Sequence, residues 1–224
     1  MATQLKSGSL TSMVHEQLRS SIITGEIAPG APLRLQAIAS QYGVSMSVVR
    51  EALVRLGEQH LVVAYRNQGF RVVEVSREDI REITEMRILT EGQALRWSIE
   101  RGDMEWEARL VAAHHVLERA PLTREGEPGT TPEWSQAHDA FHDALGVGCQ
   151  NSRLIQTSRN LRAASEMYRQ LSGRAGGEEG RDIAGEHREL LDLATTREAD
   201  AAVSALAKHF NRTLDAVLVA GLPE

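Results

Sequence analysis

Apolar residues along most of the chain recur every third or fourth position, the period of a helix with one buried face. In residues 13–24, Val14, Leu18 and Ile22 keep that spacing, and Gly25 follows as a C-cap. "APGAP" (28–32) predicts a turn. A short helix is predicted over 35–42, stopped at Gly43, and another from about Met46 to Gln59, capped by Ser45 and burying Val49, Leu53 and Leu56. The period then drops to two. "LVVAY" (61–65) and "FRVVEV" (70–75), joined by "RNQG" (66–69), predict a β-hairpin.

From Ser76 onward no strand pattern returns. "SRED" (76–79) has the form of a capping box and predicts a helix of about 24 residues, with Ile80, Ile83, Met86/Arg87, Thr90 and Ala94 turned inward. "RGD" (101–103) breaks it. Further helices are predicted at about 104–119, 133–147, 152–172, 181–194 and 197–219, separated by loops at 121–132 and 173–180. The chain therefore divides near residue 75. Residues 1–75 form a head of helices and a hairpin; residues 76–224 form an all-helical antiparallel bundle, so the fold class is mainly α.

Composition narrows the choice of function. The chain has 224 residues, 42% of them apolar and only 4% aromatic, enough to fill a helical core. No apolar run approaches the roughly 20 residues of a membrane span. The start, "MATQLKSGSLTS", lacks the apolar stretch of a signal peptide. Cys149 is the only cysteine, so no internal disulfide can form, and a small core residue is the expected role. A soluble cytoplasmic protein is expected. The net charge of −6 argues against nucleic acid at first sight, but it is unevenly spread. Residues 1–76 carry seven Lys/Arg against five Asp/Glu, whereas the remainder carries 18 against 26. A mildly basic head on an acidic body can still bind DNA, because only the contacting face must be positive.

"LQAIASQYGVSMSVVREALVRL" has the layout of a helix-turn-helix. Gly43 permits the turn, and the following helix offers its N-terminal polar residues to a major groove. Met46, Ser47 and Arg50 lie on that side, and Arg50 can make paired hydrogen bonds to a guanine edge. Arg34, Gln36, Arg66, Gly69 and Arg71 are expected at phosphates or a neighbouring minor groove. Three ordinary packed helices would show the same spacing; the hairpin immediately after them, read as a wing, favours a winged helix-turn-helix. The stretch from Pro29 to Ser76 resembles the winged-helix domain of GntR-family transcription regulators. The matches are Pro29-Gly30, Leu33, Ala39, Gly43-Val44-Ser45, Val49-Arg50-Glu51-Ala52-Leu53, Leu56, Leu61-Val62 and Gly69-Phe70. The family often has Arg, a base contact, where Met46 stands, and Thr-Pro where Ser47-Val48 stand. His60 replaces a usual Gly, and a left-handed backbone there would carry a cost of about 1 kcal/mol.

The bundle holds the second chemical signal. Of the eight histidines, His15, His60, His114 and His115 fall outside any pattern and read as surface or packing residues. His138 and His142 are four apart, on one face with Trp134, Phe141 and Leu145; His187 and His209 sit on apolar stripes of two other helices. A single inward histidine is more often a hydrogen-bonded core residue than a ligand. Four on three helices need either four separate partners, as in a polar core network of Glu, Ser and water, or one shared metal ion, and bundles commonly hold metals in this place.

The body also resembles the FCD ligand-sensing domain of the FadR-type branch of the same family. "DIREITEMRILTEGQALRWSIERGD" is similar to its first helix, with Arg87 and Glu91 on its R-x-x-x-E pattern; "FHDALGVGCQNSRL" and "EHRELLDLATTREADAAVSALAKHF" are similar to later segments. The resemblance implies metal ligands at an Asp and a His four apart, then a His, then a His 22 residues later. His142, His187 and His209 match the histidines, and His138 takes the Asp position. Asp139 is adjacent but should point about 100° away.

Four neutral imidazoles leave the ion's double charge uncancelled and suit a divalent transition metal, zinc first and nickel second. Such an ion attracts an anion, so a small carboxylate effector is expected at the metal, with Arg87 pairing its other end. Together these features predict a homodimeric, ligand-responsive regulator, most simply a repressor, on a palindromic double-stranded DNA operator. The alternative is a metalloenzyme on a helical bundle. It lacks H-E-x-x-H and E-x-x-H motifs, and Asp139 and Glu186, the acids next to the ligands in sequence, are expected to face elsewhere.

Overall fold

A computed structural model describes residues 2–66, 68–124, 129–174 and 180–219, with side chains described from Leu10 onward and, in the helix ending at Arg174, as far as Gln170. The chain divides into two compact units, Met1–Ser76 and Arg77–Glu224.

In the first unit the elements run α1 (Ala2–Ile23), β1 (Pro32–Leu33), α2 (Leu35–Tyr42), α3 (Met46–Glu58), β2 (Val62–Tyr65) and β3 (Gly69–Val72). Val14, Leu18 and Ile22 of α1 and Val49, Leu53 and Leu56 of α3 are buried together, as their spacing predicts. α1 starts at Ala2, well before the predicted residue 13, because residues 2–12 carry little apolar periodicity for a sequence reading to follow. Gly43 ends α2 at φ 63°, and its N–H and that of Val44 both donate to the Ala39 carbonyl. Ser45 opens α3, its hydroxyl accepting from the Val48 N–H.

The predicted hairpin is present, with Tyr65 opposite Gly69, and Gly69 turns the chain at φ 86°. A third strand that sequence periodicity missed, β1, pairs with β3 to give the order β1-β3-β2. Two residues are too few to show an alternation. At His60 the backbone is left-handed, φ 57°, with an exposed side chain.

The second unit is all helix among the described residues: α4 (Arg77–Arg101), α5 (Met104–Arg119), α6 (Pro132–Val147), α7 (Ser152–Arg174), α8 (Ile183–Thr195) and α9 (Ala199–Val219). Side-chain caps fix several starts: Asp103 accepts from Trp106 N–H, Thr131 from Trp134 N–H ahead of Pro132, and Asp182 from Gly185 N–H. The apolar core joins Leu95, Trp106, Leu110, Phe141, Leu190 and Leu206 from five helices. Cys149 is fully buried, as expected of a core residue.

The face of α4 is where the sequence pattern misleads. Met86 is exposed, and Ile83 and Thr90 are only half-buried, whereas Thr84, Arg87 and Glu91 are buried beside Ile80, Ala94 and Leu95. The upper half of α4 turns polar groups inward, so apolar spacing points to the wrong side there.

Relief of the left-handed strain is directly measurable. Replacing His60 by glycine removes a Cβ penalty of about 1 kcal/mol, part of it returned as greater freedom of the unfolded chain. His60→Gly should raise the melting transition of the first unit by a few degrees in thermal unfolding followed by circular dichroism. An unchanged or lower midpoint would count against the strain.

Candidate functional site

In the first unit, α3 buries Val48, Val49, Ala52, Leu53 and Leu56, so its opposite side is free. Met46, 58% exposed, leads that side with Ser47 and Arg50, both exposed. Arg34, Gln36 and Arg66 are exposed as well, and Gly69 is partly so. Asn67, part of the predicted hairpin turn, lies outside the described residues. Arg71 is also exposed, but its guanidinium donates to the Gly30 carbonyl at 3.1 Å and braces the sheet. The carboxylate next to Arg50 is occupied: Glu51 accepts from Arg55 at 2.6 Å and from Thr11 at 3.4 Å.

The second unit brings all four predicted histidines to one point. His138 and His142 project from α6, His187 from α8 and His209 from α9. One ring nitrogen from each lies within 4.8 Å of all the others, and all four side chains are buried. Asp139 is outside this set; its carboxylate accepts from Arg162 at 2.7 Å, in line with the expected rotation. Trp134 stacks on His138 with ring centres 4.6 Å apart, and the Arg169 guanidinium lies 4.8 Å from the Trp134 ring centre.

Burial, and then mutual repulsion among the rings, holds the imidazoles of His138, His142 and His187 well below their ordinary pKa. Burial lowers His209 too, against a bond from Glu186 that works the other way. All four are therefore neutral at pH 7. Both ring nitrogens of His142 and Nε2 of His187 have no hydrogen-bond partner among the described residues. Leaving a buried polar atom unmatched costs about 1–3 kcal/mol. A cation shared by the four rings is the partner this donor set fits, since neutral imidazole nitrogens are good ligands and poor neighbours of one another.

One participant contradicts its expected placement. Glu186 does not face elsewhere: it is buried, and its carboxylate lies 2.7 Å from His209 Nδ1. It also accepts two hydrogen bonds from Arg181, at 2.6 and 2.8 Å, and one from Arg212 at 3.0 Å. Burial alone would raise the Glu186 carboxyl; Arg181 and then His209 hold it below the usual carboxylate range. Arg181 Nη2 lies 3.2 Å from the same Nδ1, but the closer Glu186 carboxylate, when ionised, favours the tautomer with its proton on Nδ1, which would leave Nε2 for the cluster. Its contact is made across to His209 on α9, not to the neighbouring His187.

Arg87 is buried near the histidines, although not free. Its Nε donates to Glu91 at 2.6 Å and Nη1 to Ser165 at 2.9 Å, with the guanidinium 3.9 Å above the Phe210 ring. A narrow pocket, part of it open to solvent, is lined by Arg87, Arg162 and Arg169 together with His138 and His209. Arg162 and Arg169, both on α7, carried no sequence signal of their own. Arg162 is buried and donates to Glu91 at 3.0 Å.

Comparison with known proteins agrees with both halves of this picture. Residues 10–72 match the family model for bacterial regulatory proteins of the gntR family, and residues 82–212 match the FCD domain. The HTH-type transcriptional regulator BphR of Paraburkholderia xenovorans is 33% identical over 96% of this chain and 87% of its own length. The HTH-type transcriptional repressor GlaR of Escherichia coli is 32% identical over 68% of this chain and 69% of its own. Among solved structures, E. coli McbR/YncC shares the fold with a TM-score of 0.73 at 21% identity, covering 94% of this chain and 97% of that one.

The buried neutral imidazoles give metal-free protein a definite pH response. Unfolded histidines bind protons below about pH 6.5, and the folded ones resist until lower pH. The unfolded state then holds more protons, so stability is complete above about 6.5 and is lost as pH falls toward the folded values. Each such ring contributes up to about 1.4 kcal/mol per pH unit. In chelator-treated protein the melting temperature should fall steeply from pH 7.5 to 5.5, and His142→Phe should flatten the slope by about one proton. Parallel slopes for the two proteins would contradict the neutral cluster.

Proposed function

The chain belongs to the GntR family of bacterial transcription regulators, with a gntR-type head and an FCD body, and from that premise we propose that it is a dimeric, metal-dependent repressor released by a small carboxylate. The family and its relatives are DNA-binding regulators, so the metalloenzyme alternative is set aside. On DNA, Arg50 reads a guanine edge with Met46 and Ser47 beside it, while Arg34, Gln36, Arg66 and Gly69 meet the backbone or minor groove. Two heads of a dimer sit on a palindromic operator with half-sites about one turn apart. Met46 stands where the family resemblance implies Arg, so the base preference at that position should differ. The name of the E. coli relative, a repressor, favours repression over activation.

The observation that carries the effector reading is the wall shared by two of the four imidazoles and three buried arginines. A bound divalent ion, zinc before nickel, supplies a positive, Lewis-acidic anchor for an anionic oxygen. His138, His142, His187 and His209 hold it, and Glu186 fixes the His209 ring through Nδ1. Arg87, Arg162 and Arg169 orient the acid. Arg87 has five N–H donors and commits one each to Glu91 and Ser165, so it can receive a carboxylate without abandoning both. Release of DNA follows only if the acid binds one arrangement of the body better than the other.

Three measurements test this reading. Purified protein at neutral pH should carry about one transition-metal ion per chain by elemental analysis, and His187→Ala should lose it; Glu186→Gln should keep the ion with affinity reduced about 10–100-fold. Equal metal content in wild type and His187→Ala rejects the site. On DNA flanking its own gene, Arg50→Ala should weaken binding by about 1–3 kcal/mol, roughly 5- to 150-fold. A panel of small carboxylates should release wild-type protein in a gel-shift assay, and chelator should abolish that release. Release that survives chelation would show that the acid acts away from the metal.

A further inference from the structure

An imidazole that binds an ion through one nitrogen leaves the other to be satisfied, and the hydrogen bond made there sets the orientation and tautomer of the ring. For His209 that outer partner is Glu186, 2.7 Å from Nδ1. His142 is placed differently. It is 3% exposed, and both of its ring nitrogens are buried without a partner among the described residues. One of them can serve an ion shared with the other histidines. The second still needs a hydrogen bond. The rings of Phe141 and Phe210, with centres 5.7 and 5.8 Å from that of His142, offer no acceptor for it.

His142 also lines a small pocket between α4, α6, α7 and α9, together with Glu91, Leu145, Ser158, Arg162 and Leu206. The space in it open to the centre of a water-sized sphere is about 10 Å³, the room of one water molecule. A second unmatched group stands on the same wall. Ser158 is 5% exposed, and its hydroxyl has no hydrogen-bond partner among the described residues. Buried hydroxyls elsewhere in the bundle bond the carbonyl one turn back, Thr84 to Ile80 at 2.7 Å and Ser98 to Ala94 at 2.8 Å. Ser158 forgoes that bond. Left unmatched, each such group costs about 1–3 kcal/mol, and one water can serve both. A buried water needs two to four polar partners. Glu91 offers a third, because its two carboxylate oxygens accept one bond each from Arg87 and Arg162 and keep lone pairs to spare.

We propose that Ser158 is a positioning residue for the histidine cluster: it holds one buried water against the ring nitrogen of His142 that the shared ion does not use. The water accepts the His142 ring N–H, bonds the Ser158 hydroxyl and donates to Glu91. The inference rests on the metal reading above and supplies the outer partner that His142 lacks. It makes two rings of the set unlike. His209 is oriented by a carboxylate, His142 by a neutral water, so loss of Ser158 frees the His142 ring without altering the charge of the site. The water also joins the cluster to Glu91, and through Glu91 to the arginines that tie α4 to α7.

The test uses the full-length protein with zinc as the probe. In competition with a chelator, Ser158→Ala should bind zinc about 10–100-fold more weakly than wild type, while the metal-free variant melts within a few degrees of metal-free wild type. With histidine labelled by nitrogen-15, zinc-loaded wild type should show the ring N–H protons of His142 and His209 in slow exchange with solvent. Ser158→Ala should lose the first and keep the second, which Glu186 holds; a role in packing alone would move neither. A high-resolution crystal structure of wild type should place one ordered water within about 3.2 Å of both Ser158 Oγ and a His142 ring nitrogen, a result that does not depend on how the variant folds. Equal zinc affinities, a His142 proton equally protected in both proteins, or no water at that point overturns the positioning role and leaves the metal reading standing. If wild type binds no zinc, the metal reading itself fails and this inference with it.

Discussion

Four imidazoles buried against one another, with ring nitrogens of His142 and His187 that find no partner among the described residues, are the constraint around which the body is arranged. Each helix that contributes a ring must place it inward at one level of the bundle, so α6, α8 and α9 are fixed in register by a polar requirement as much as by packing. The surrounding apolar residues do the rest. Trp134 and Phe141 on α6 and Phe210 on α9 pack edge or face against the rings, which excludes water and keeps the imidazoles neutral. Neutral rings can share a cation; charged ones would repel it and each other. Among the described residues, Glu186 is the acid bonded directly to a ring of the set, and Arg181 and Arg212 offset much of its charge. Its value is therefore directional: it selects which nitrogen of His209 faces the cluster.

The sequence made much of this legible, for identifiable reasons. Helices with one apolar stripe and a punctuating residue are read nearly to the residue: α2 spans Leu35–Tyr42 before Gly43, and α5 spans Met104–Arg119 after Asp103. The histidines stand out because an imidazole on an apolar stripe is a local inconsistency, and inconsistency within an otherwise regular pattern marks function. The left-handed His60 is visible because glycine is the residue such a backbone favours.

What stayed hidden shares a different cause. β1 is too short for any periodicity, and its pairing with β3 is non-local. The inward face of upper α4 is polar, so a search for apolar spacing selects Met86 and Ile83 in place of Thr84 and Glu91. Arg162 and Arg169 lie on a helix rich in arginine, where solvent exposure is the ordinary expectation; only the fold shows that Glu91, Asp139 and Asp143 surround Arg162 closely enough to make burial tolerable. Glu186 was misplaced because sequence adjacency to His187 says nothing of a contact across to α9. In each case the missing information is which polar side chain has a buried partner, and that is settled by tertiary contact.

The buried ion pairs also suggest why a ligand at this place would be felt elsewhere. α4 is tied to α7 by three polar contacts at different levels: Asp79 with Tyr168, Arg87 with Ser165, and Glu91 with Arg162. Two of the three use an arginine that also lines a cavity. An acid bound there would compete for the same donors and so act on contacts that hold α4 in place. Because β3 ends at Val72 and α4 begins at Arg77, only four residues of chain separate the wing strand from the helix so affected. A hydrophobic α4–α7 seam would hold the two helices through many small, interchangeable contacts. A seam built on a few strong, directional ones has discrete alternatives, and discrete alternatives are what a ligand needs in order to favour one state of a regulator over another.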